Sequence, residues 1–527
     1  MLNNSTLPKL ALGCVVVIAL LLRSWQLGIV PHGMTWDEAA IGYNGYAVLT
    51  TRRDEWLKRL PISFRSFGDY KAPLAIYING FFTYTFGSSL TVIRLPFMLS
   101  GVLAVVALYW LMSELLLSQE VPAKKAQTLS LVAASLLTIS SWHIHFSRVG
   151  FESGLALTLT LLAIASLLRA VREQQQKWWL LTASISAACL YAYHSTKIAL
   201  PLLVVLVVWL VGLRQFVSRH MVIALLLGSL LVAPLLYDMI FAEGMTRAST
   251  LILSKPYPVA HKIEMIAQNW QKQLSADALF FGWTDSLRHG TGKYGLLYLV
   301  DVVPLVWLFV RAITQHWFNQ KHTLKHSKLY LFWVCWIAIG LLPAVLSEQS
   351  PHPNRALLAL PGFVGLIALG WDDLLHFFQV TKAWFLVGLI YVLLLASFIQ
   401  YYFTTYSRTS APDFYDGNFA AAQRAVQIEK QGINGVKPTK ILFTADYGQP
   451  YIFILLAKRL SPIEYQGGGL ANYEFASTIS TGDLMRPNTL LVASAQDDIT
   501  LDWANEVIYG SDGEVAFKIY YPKENPQ

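Results

Sequence analysis

Charged residues are scarce in this chain. Asp, Glu, Lys and Arg make up 14% of its 527 residues, whereas a soluble domain carries about 25%. Hydrophobic residues account for 55%, and the mean hydropathy is +0.45. Many apolar runs reach the ~20 residues that a helix needs to cross a bilayer. The composition therefore excludes an ordinary soluble protein and predicts a polytopic membrane protein.

Cysteines and acids are also few. Cys14, Cys189 and Cys335 lie inside apolar runs without metal-ligand spacing, which argues against disulfides and a cysteine metal site. Lys and Arg number 40 against 32 Asp and Glu, a net charge of +8. The basic residues lie in short loops between apolar runs, as the positive-inside rule requires. The positive charge therefore indicates membrane topology and not a nucleic-acid partner.

The apolar runs predict eleven transmembrane helices. They cover 8–27, 91–117, 128–146, 154–170, 178–193, 197–213, 221–238, 294–311, 328–346, 356–371 and 382–402. A further apolar segment, 73–86, is short for a span. If it does not cross, the basic loops share the side of Lys9, as the positive-inside rule requires. We therefore expect 73–86 to be interfacial or re-entrant in a multi-pass protein of the cytoplasmic (inner) membrane with a cytoplasmic N-terminus.

This topology predicts two domains, a transmembrane domain (1–402) and an extracytoplasmic tail (403–527). Within the first, long outward loops cover 28–90 and 239–293. The tail is more polar, with an amphipathic helix predicted at DFYDGNFAAAQRAVQIEK and a short buried strand at KILFTAD. We expect a small α/β domain of about 110 residues, a normal domain size, that guides an acceptor or steadies the protein without catalysing.

Two adjacent acids, Asp37 and Glu38, stand in the first outward loop within MTWDEAAIGY. Acids are common in loops, so a solvated loop is the simple interpretation. The following residues predict an amphipathic helix at the membrane interface. An acid at its start would lie at headgroup depth, where a general base could reach a hydroxyl. Asp37 is the better candidate base, and Glu38 is expected to orient the helix or contact the acceptor.

Other candidates also lie at the outer ends of predicted helices. Lys71 in SFGDYKAPLAIYI is either a snorkelling lysine or a cation for a lipid phosphate. Glu152 in SWHIHFSRVGFESG either pairs with Arg148 and the helix dipole or is a second active-site acid. His143 and His145 would need further ligands to hold a metal, and none is expected. Interfacial anchors or anion contacts are the two interpretations for Arg288, His289, His352, Arg355, His194 and Lys197, and Arg148 is a further candidate for contact with a lipid phosphate.

Six blocks in order resemble the membrane glycosyltransferases of the GT-C fold, specifically bacterial relatives of the protein O-mannosyltransferases and of lipid A aminoarabinose transferase. The blocks are WDEAAIGYNGY, FGDYKAPLAIYI, RLPFMLSG, SSWHIHFSRVGFE, RHGTGKYGLLYL and PHPNRALLALP. The resemblance implies transfer of a sugar from a polyprenyl-phosphate donor on the outer face, without a cofactor. It implies that Asp37 is the catalytic carboxylate and that Lys71 binds donor phosphate. Glu152 stands where the family usually has aspartate.

We therefore expect a glycosyltransferase that moves a hexosyl or pentosyl group to a glycan, lipid or protein acceptor. Asp37 would be the base, and Lys71, with Arg288 or Arg355, would neutralise the leaving phosphate. A polytopic transporter or lipid-linked sugar flippase is the alternative, but its functional charges should lie at mid-membrane. A sensor with an extracytoplasmic tail is a third interpretation, although no signalling module is visible.

Overall fold

A computed structural model describes residues 7–318, 327–433 and 435–522. The chain divides into two compact units. Unit 1 comprises Met1–Trp25, Tyr70–Leu74 and Phe97–Gln400, and unit 2 comprises Gln26–Asp69, Ala75–Pro96 and Tyr401–Gln527. This division differs from the predicted domains. The second boundary falls close to residue 403, but most of the first outward loop belongs to the same unit as the tail.

Helices dominate the chain, and two groups of short strands accompany them. In chain order, the helices are α1 (Leu7–Ser24), α2 (Trp36–Thr51), α3 (Pro73–Phe86), α4 (Leu90–Ser118), α5 (Ala123–Ile139), α6 (Ser141–Ser147), α7 (Glu152–Glu173), α8 (Gln176–Leu190), α9 (Thr196–Val211), α10 (Arg219–Phe241), α11 (Val259–Gln273), α12 (Ala276–Leu279), α13 (Val302–Phe318), α14 (Ser327–Val345), α15 (Pro353–Ala356), α16 (Leu360–Phe377), α17 (Trp384–Tyr401), α18 (Ser407–Thr409), α19 (Asn418–Gln431), α20 (Pro450–Lys458) and α21 (Pro462–Gln466). The strands are β1 (Phe64–Ser66), β2 (Asp69–Lys71), β3 (Lys440–Thr444), β4 (Tyr473–Ala476), β5 (Thr489–Ser494), β6 (Glu506–Tyr509) and β7 (Val515–Tyr520).

Each of the eleven predicted spans contains a helix, although fewer of these helices have the length and apolar composition of a membrane span. Six helical stretches among the described residues are long and apolar enough to cross a membrane, and a seventh counts if the bent pair α5–α6 is one span. The α-helix in the run at 294–311 begins later than predicted, at Val302, directly after a single 3-10 turn at Leu299–Asp301. Helix α3 has 14 residues, which is short for a span, as expected.

Charged residues tie helix ends together at one end of unit 1. Glu114 of α4 accepts hydrogen bonds from Arg169 at 2.8 Å and Arg172 at 2.9 Å, both on α7. Lys125 at the start of α5 pairs with Asp372 of α16 at 2.7 Å. These residues lie at the ends that the charge pattern assigns to the cytoplasmic side. The basic groups there are neutralised in part by buried or half-buried acids that the positive-inside count ignores.

The opposite end of unit 1 contains the end of α1. Arg148, just after α6, donates hydrogen bonds to the carbonyls of Leu22 at 3.1 Å, Arg23 at 3.0 Å and Trp25 at 2.7 Å. The end of α1 therefore lies beside the turn between α6 and α7, away from Glu114.

Unit 2 is built on a five-stranded sheet of order β4-β3-β5-β7-β6. The pairs β3–β4 and β3–β5 are parallel, whereas β5–β7 and β6–β7 are antiparallel. The predicted strand at KILFTAD is β3, and the predicted amphipathic helix is α19. The helix begins five residues later than the quoted motif because Gly417 precedes it with φ +87°, outside the helical region.

Helix α2 is buried nearly all round, so the expected amphipathic interfacial helix is wrong. Its buried residues run from Glu38 to Gly45 and include Ala47 and Val48. Ala39, Ala40 and Tyr43 share a hydrophobic core with α19, α20 and the sheet. Small residues allow this packing: a Cβ on Gly45 would lie 2.7 Å from the backbone of α3. The acids at the start of α2 are therefore held by a rigid core.

Candidate active site

Glu38 is a structural acid within unit 2. Its side chain is 0% exposed, and Arg94 Nε lies 2.7 Å from Glu38 Oε1. Glu38 also closes a capping box with Thr35, whose backbone N–H donates to Oε2 at 3.0 Å. Arg94 uses its remaining donors on the carbonyls of Pro31 at 2.8 Å and Gly33 at 2.9 Å. Buried charges need this complete pairing, which favours the expected helix-orienting role over acceptor contact.

Asp37 differs from its neighbour because it is partly exposed. It lies in the first turn of α2, where the helix dipole stabilises a carboxylate. The preceding Trp36 stacks on Tyr415 with ring centroids 4.5 Å apart. A Cβ on Gly448 would overlap the Trp36 ring at 1.9 Å, so only glycine allows this contact. The indole thereby fixes the position of Asp37 relative to unit 2.

Lys71 is buried, 8% exposed, in the short segment Tyr70–Leu74 of unit 1. His194 Nε2 lies 3.0 Å from the carbonyl oxygen of Tyr70. Because a carbonyl can only accept, Nε2 must carry the proton, and Nδ1 is then the acceptor that faces Lys197 Nζ at 3.4 Å. The backbone next to Lys71 is therefore tied to His194 and Lys197.

These histidine and lysine side chains line a cavity of about 270 Å³ in unit 1. The cavity lies among α9, the end of α10 and the end of α14. Its wall is mostly apolar and holds two cationic side chains, Lys197 and Arg355, both partly exposed. The lining residues are Tyr193, His194, Ser195, Lys197, Ile198, Met239, Gly244, Met245, Thr250, Leu251, Pro343, Leu346 and Arg355. An apolar cleft with a few polar groups is typical of a ligand site.

Sequence reasoning missed the acid beside this cavity. Asp238 is 4% exposed near the end of α10 and interacts electrostatically with Lys197. The following residue, Met239, lines the cavity. An acid inside an apolar run is a functional signal by itself, and 221–238 contains this one. The cavity wall therefore combines two cations with one nearby carboxylate.

Residues from three of the six blocks, SSWHIHFSRVGFE, RHGTGKYGLLYL and PHPNRALLALP, lie close together in unit 1. We call this cluster the rim. His145 Nε2 lies 2.9 Å from the carbonyl oxygen of Arg288. The rings of His289 and His352 are 4.6 Å apart, and Phe151 lies 6.1 Å from His289. His352 caps α15, which carries Arg355. Residues far apart in sequence are thus brought beside the cavity wall.

Glu152 joins the same rim without the ion pair considered for it. It is 8% exposed in the first turn of α7. Its neighbour Ser153 hydrogen-bonds Asn354, between His352 and Arg355. The guanidinium of Arg148, the partner considered for Glu152, donates to carbonyls at the end of α1. Arg148 is 0% exposed, a geometry that favours support of the rim over phosphate binding.

No group of three or more metal-ligating side chains occurs in the described part of the chain. His143 Nδ1 instead lies 2.7 Å from Arg23 Nη2. His145 is occupied by Arg288, as described above. His143 therefore contacts α1, and His145 contacts the backbone at Arg288.

Comparisons with known proteins find one matching family model and several solved structures with a similar fold. Residues 70–237 match the family model described as dolichyl-phosphate-mannose-protein mannosyltransferase. The crystal structure of ArnT from Cupriavidus metallidurans in the apo state matches with a TM-score of 0.52 and 10% identity, covering 97% of this chain and 99% of that one. This chain has the fold of ArnT.

Two further structures share this fold. ArnT from Cupriavidus metallidurans bound to undecaprenyl phosphate has a TM-score of 0.52 and 12% identity, with 100% of both chains covered. The oligosaccharyltransferase AglB from Archaeoglobus fulgidus, in complex with an inhibitory peptide and a dolichol-phosphate, has a TM-score of 0.51 and 13% identity. That match covers 88% of this chain and 65% of AglB. No curated protein matches the sequence.

The family match covers only part of the candidate site. It includes Lys71, Glu152 and Lys197, whereas Asp37 and Arg355 lie outside residues 70–237. The roles of these five residues are therefore proposals. Glu38 and Arg148 are not among them, because both are 0% exposed and their charged groups are bonded within the protein.

Proposed function

We propose that this protein is a membrane glycosyltransferase that moves a sugar from a polyprenyl-phosphate donor to an acceptor hydroxyl. The observation that carries the proposal is the cavity of unit 1, in which Lys197 and Arg355 stand in a mostly apolar wall. A polyprenyl phosphate has the same two parts, an apolar chain and an anionic head. The polyprenyl phosphates bound to ArnT and AglB, which share the fold, support the same ligand class.

The cations bind and neutralise the phosphate. Arginine offers a planar fork that matches phosphate oxygens, and lysine offers a compact charge. Lys71 supplies a further cation. It follows Tyr70, whose carbonyl oxygen lies 3.0 Å from His194 Nε2. When the bond from the anomeric carbon to the phosphate oxygen breaks, that oxygen keeps the electron pair. Fixed cations stabilise this developing charge most.

Asp37 is assigned as the general base. Its carboxylate takes the proton of the acceptor hydroxyl while the hydroxyl oxygen forms the new bond to the anomeric carbon. The products are the glycosylated acceptor and free polyprenyl phosphate, so atoms and charge balance without a nucleotide. Partial exposure in the first turn of α2 and the resemblance of the WDEAAIGYNGY block support this assignment. Glu152 is proposed as the second acid of the site.

The test is binding of undecaprenyl phosphate to the purified full chain in detergent. Arg355→Gln should weaken binding about 10- to 100-fold, since a hydrogen bond to a charged group is worth about 1.5–3 kcal/mol. Arg214→Gln is the matched control because Arg214 is exposed in unit 1 and does not line the cavity. Equal affinity in the wild type and both variants, or no binding by the wild type, contradicts the proposed donor site.

A further inference from the structure

The sheet of unit 2 has one face under helices and another under loops. Side chains alternate along β3: Ile441 and Phe443 join the core formed with α19 and α20, whereas Leu442 joins a smaller cluster. Leu491 of β5 and Tyr520 of β7 are register partners and belong to that smaller cluster. Two single turns, Thr481–Met485 and Leu501–Trp503, cover this face. Because turns cover a sheet less completely than a helix, a space remains.

That space is a cavity of about 350 Å³, within the size range of small-molecule sites. Aromatic rings, hydroxyls, an amide and a guanidinium line it together. The lining residues are Thr481, Leu484, Met485, Arg486, Thr489, Leu491, Trp503, Asn505, Tyr520 and Tyr521. Trp503 is 56% exposed and Met485 is 88% exposed, although both are apolar. Exposed apolar side chains gathered at a cavity indicate a binding surface.

Charge pairing selects the kind of ligand. Arg486 donates to Asp483 at 2.9 Å and to Glu474 at 2.7 Å. Glu474 also accepts from Lys440 at 2.8 Å. The guanidinium is therefore fixed in position, and carboxylates offset its charge. Such a group still presents N–H donors but favours a neutral, hydroxyl-rich ligand over a phosphate.

We propose that this cavity binds a saccharide. The pyranose ring has an apolar face of C–H groups that packs on an aromatic ring with a negative π-face, and Trp503 offers such a ring at the entrance. Its hydroxyl groups meet the hydroxyls of Thr481 and Thr489 and the donors of Arg486. If the protein transfers sugars as proposed above, the saccharide is part of the acceptor. Only this identification of the saccharide depends on the proposed function.

A glycan microarray probed with the purified full chain in detergent tests the cavity. The wild type should bind at least one saccharide class, and Trp503→Ala should lose at least about tenfold in affinity because the packing surface is removed. Trp503→Phe should retain more binding than the alanine variant. Tyr509→Ala is the matched control: Tyr509 is an aromatic residue of the same sheet, 62% exposed and outside the cavity.

Two results overturn the inference: no saccharide bound by the wild type, or the same affinity in Trp503→Ala as in the wild type. Undecaprenyl phosphate binding by the same preparations separates this from the donor proposal. Saccharide binding that depends on Trp503, without undecaprenyl phosphate binding, supports the cavity and contradicts the proposed function. Undecaprenyl phosphate binding without saccharide binding does the reverse.

Discussion

At the scale of single residues, two adjacent acids have different surroundings: Glu38 is buried beside Arg94, whereas Asp37 is partly exposed. Adjacent helical residues point about 100° apart, so the sequence predicts that Asp37 and Glu38 face different neighbours. It does not identify the neighbour of Glu38, since Arg94 lies 56 residues away. Arg94 is the first residue of the block RLPFMLSG, but its sequence position does not show that it pairs with Glu38. The buried ion pair positions the helix that carries Asp37.

Glu38→Gln should therefore act through stability. The variant leaves the Arg94 charge buried without its counter-charge, a loss typically of about 3–5 kcal/mol. Thermal unfolding of the purified chain should show a clearly lowered Tm. Asp37→Asn, which changes a partly exposed neighbour, serves as the control and should unfold close to the wild type. A Glu38→Gln protein as stable as the wild type would return Glu38 to the list of candidate substrate contacts.

Glu55 provides a pH-dependent test of the unit 2 core. Burial raises its pKa to about 8, although the indole of Trp56 donates to Oε1 and opposes the shift. Oε2 has no hydrogen-bond partner among the described residues. The unfolded carboxyl titrates near its ordinary value of 4.5, so the folded state holds the proton to higher pH. Stability should therefore fall as pH rises from about 4.5 to about 8.

Glu55→Gln removes this titration while keeping the size of the side chain. The Tm of the wild type should decline more steeply than that of the variant between pH 5 and pH 8. Exposed Glu264→Gln is the control and should follow the wild type. Parallel wild-type and Glu55→Gln curves would show that Glu55 does not hold its proton in the folded protein.

At the scale of elements, the long apolar runs predicted the positions of helices better than the sequence pattern predicted the environment of α2. Long apolar runs place helices at every predicted span because bilayer thickness imposes a length. Helix α2 was misassigned because its small and apolar residues suit two environments, the membrane surface and a protein core. The tail that contributes to this core begins about 350 residues after the end of α2. The sequence pattern alone does not distinguish these environments.

Gly45→Ala tests the close packing of α2 on α3. The added methyl would lie 2.7 Å from both Gly80 N and Ile76 O, and these backbone atoms cannot rotate away. The helices must separate, at a cost of about 1–3 kcal/mol for overpacking. Gly388→Ala is the control, because nothing lies within 4 Å of its new Cβ. A lowered Tm for Gly45→Ala alone is expected, and equal Tm values would contradict this packing.

At the scale of the whole molecule, the fold brings together residues that the sequence analysis selected separately. His289 and His352 were chosen separately, and their rings meet in unit 1. The cavity itself was not predictable, because Met239, Leu251 and Pro343 carry no individual signal and form a wall only in the fold. The grouping of most of loop 28–90 with the tail in unit 2 was not predicted, since the loop shows no sign in sequence of packing with the tail.

The consumption of the lipid donor is the direct consequence of the proposed activity. Mass spectrometry of membrane lipids measures polyprenyl-phosphate sugars in cells that carry the wild type, no copy, or Asp37→Asn at matched protein levels. One polyprenyl-phosphate sugar should accumulate equally without the gene product and with Asp37→Asn, because loss of a general base slows transfer at least about 100-fold. The same lipid profile in all three strains would contradict a polyprenyl-phosphate glycosyltransferase with Asp37 as its base.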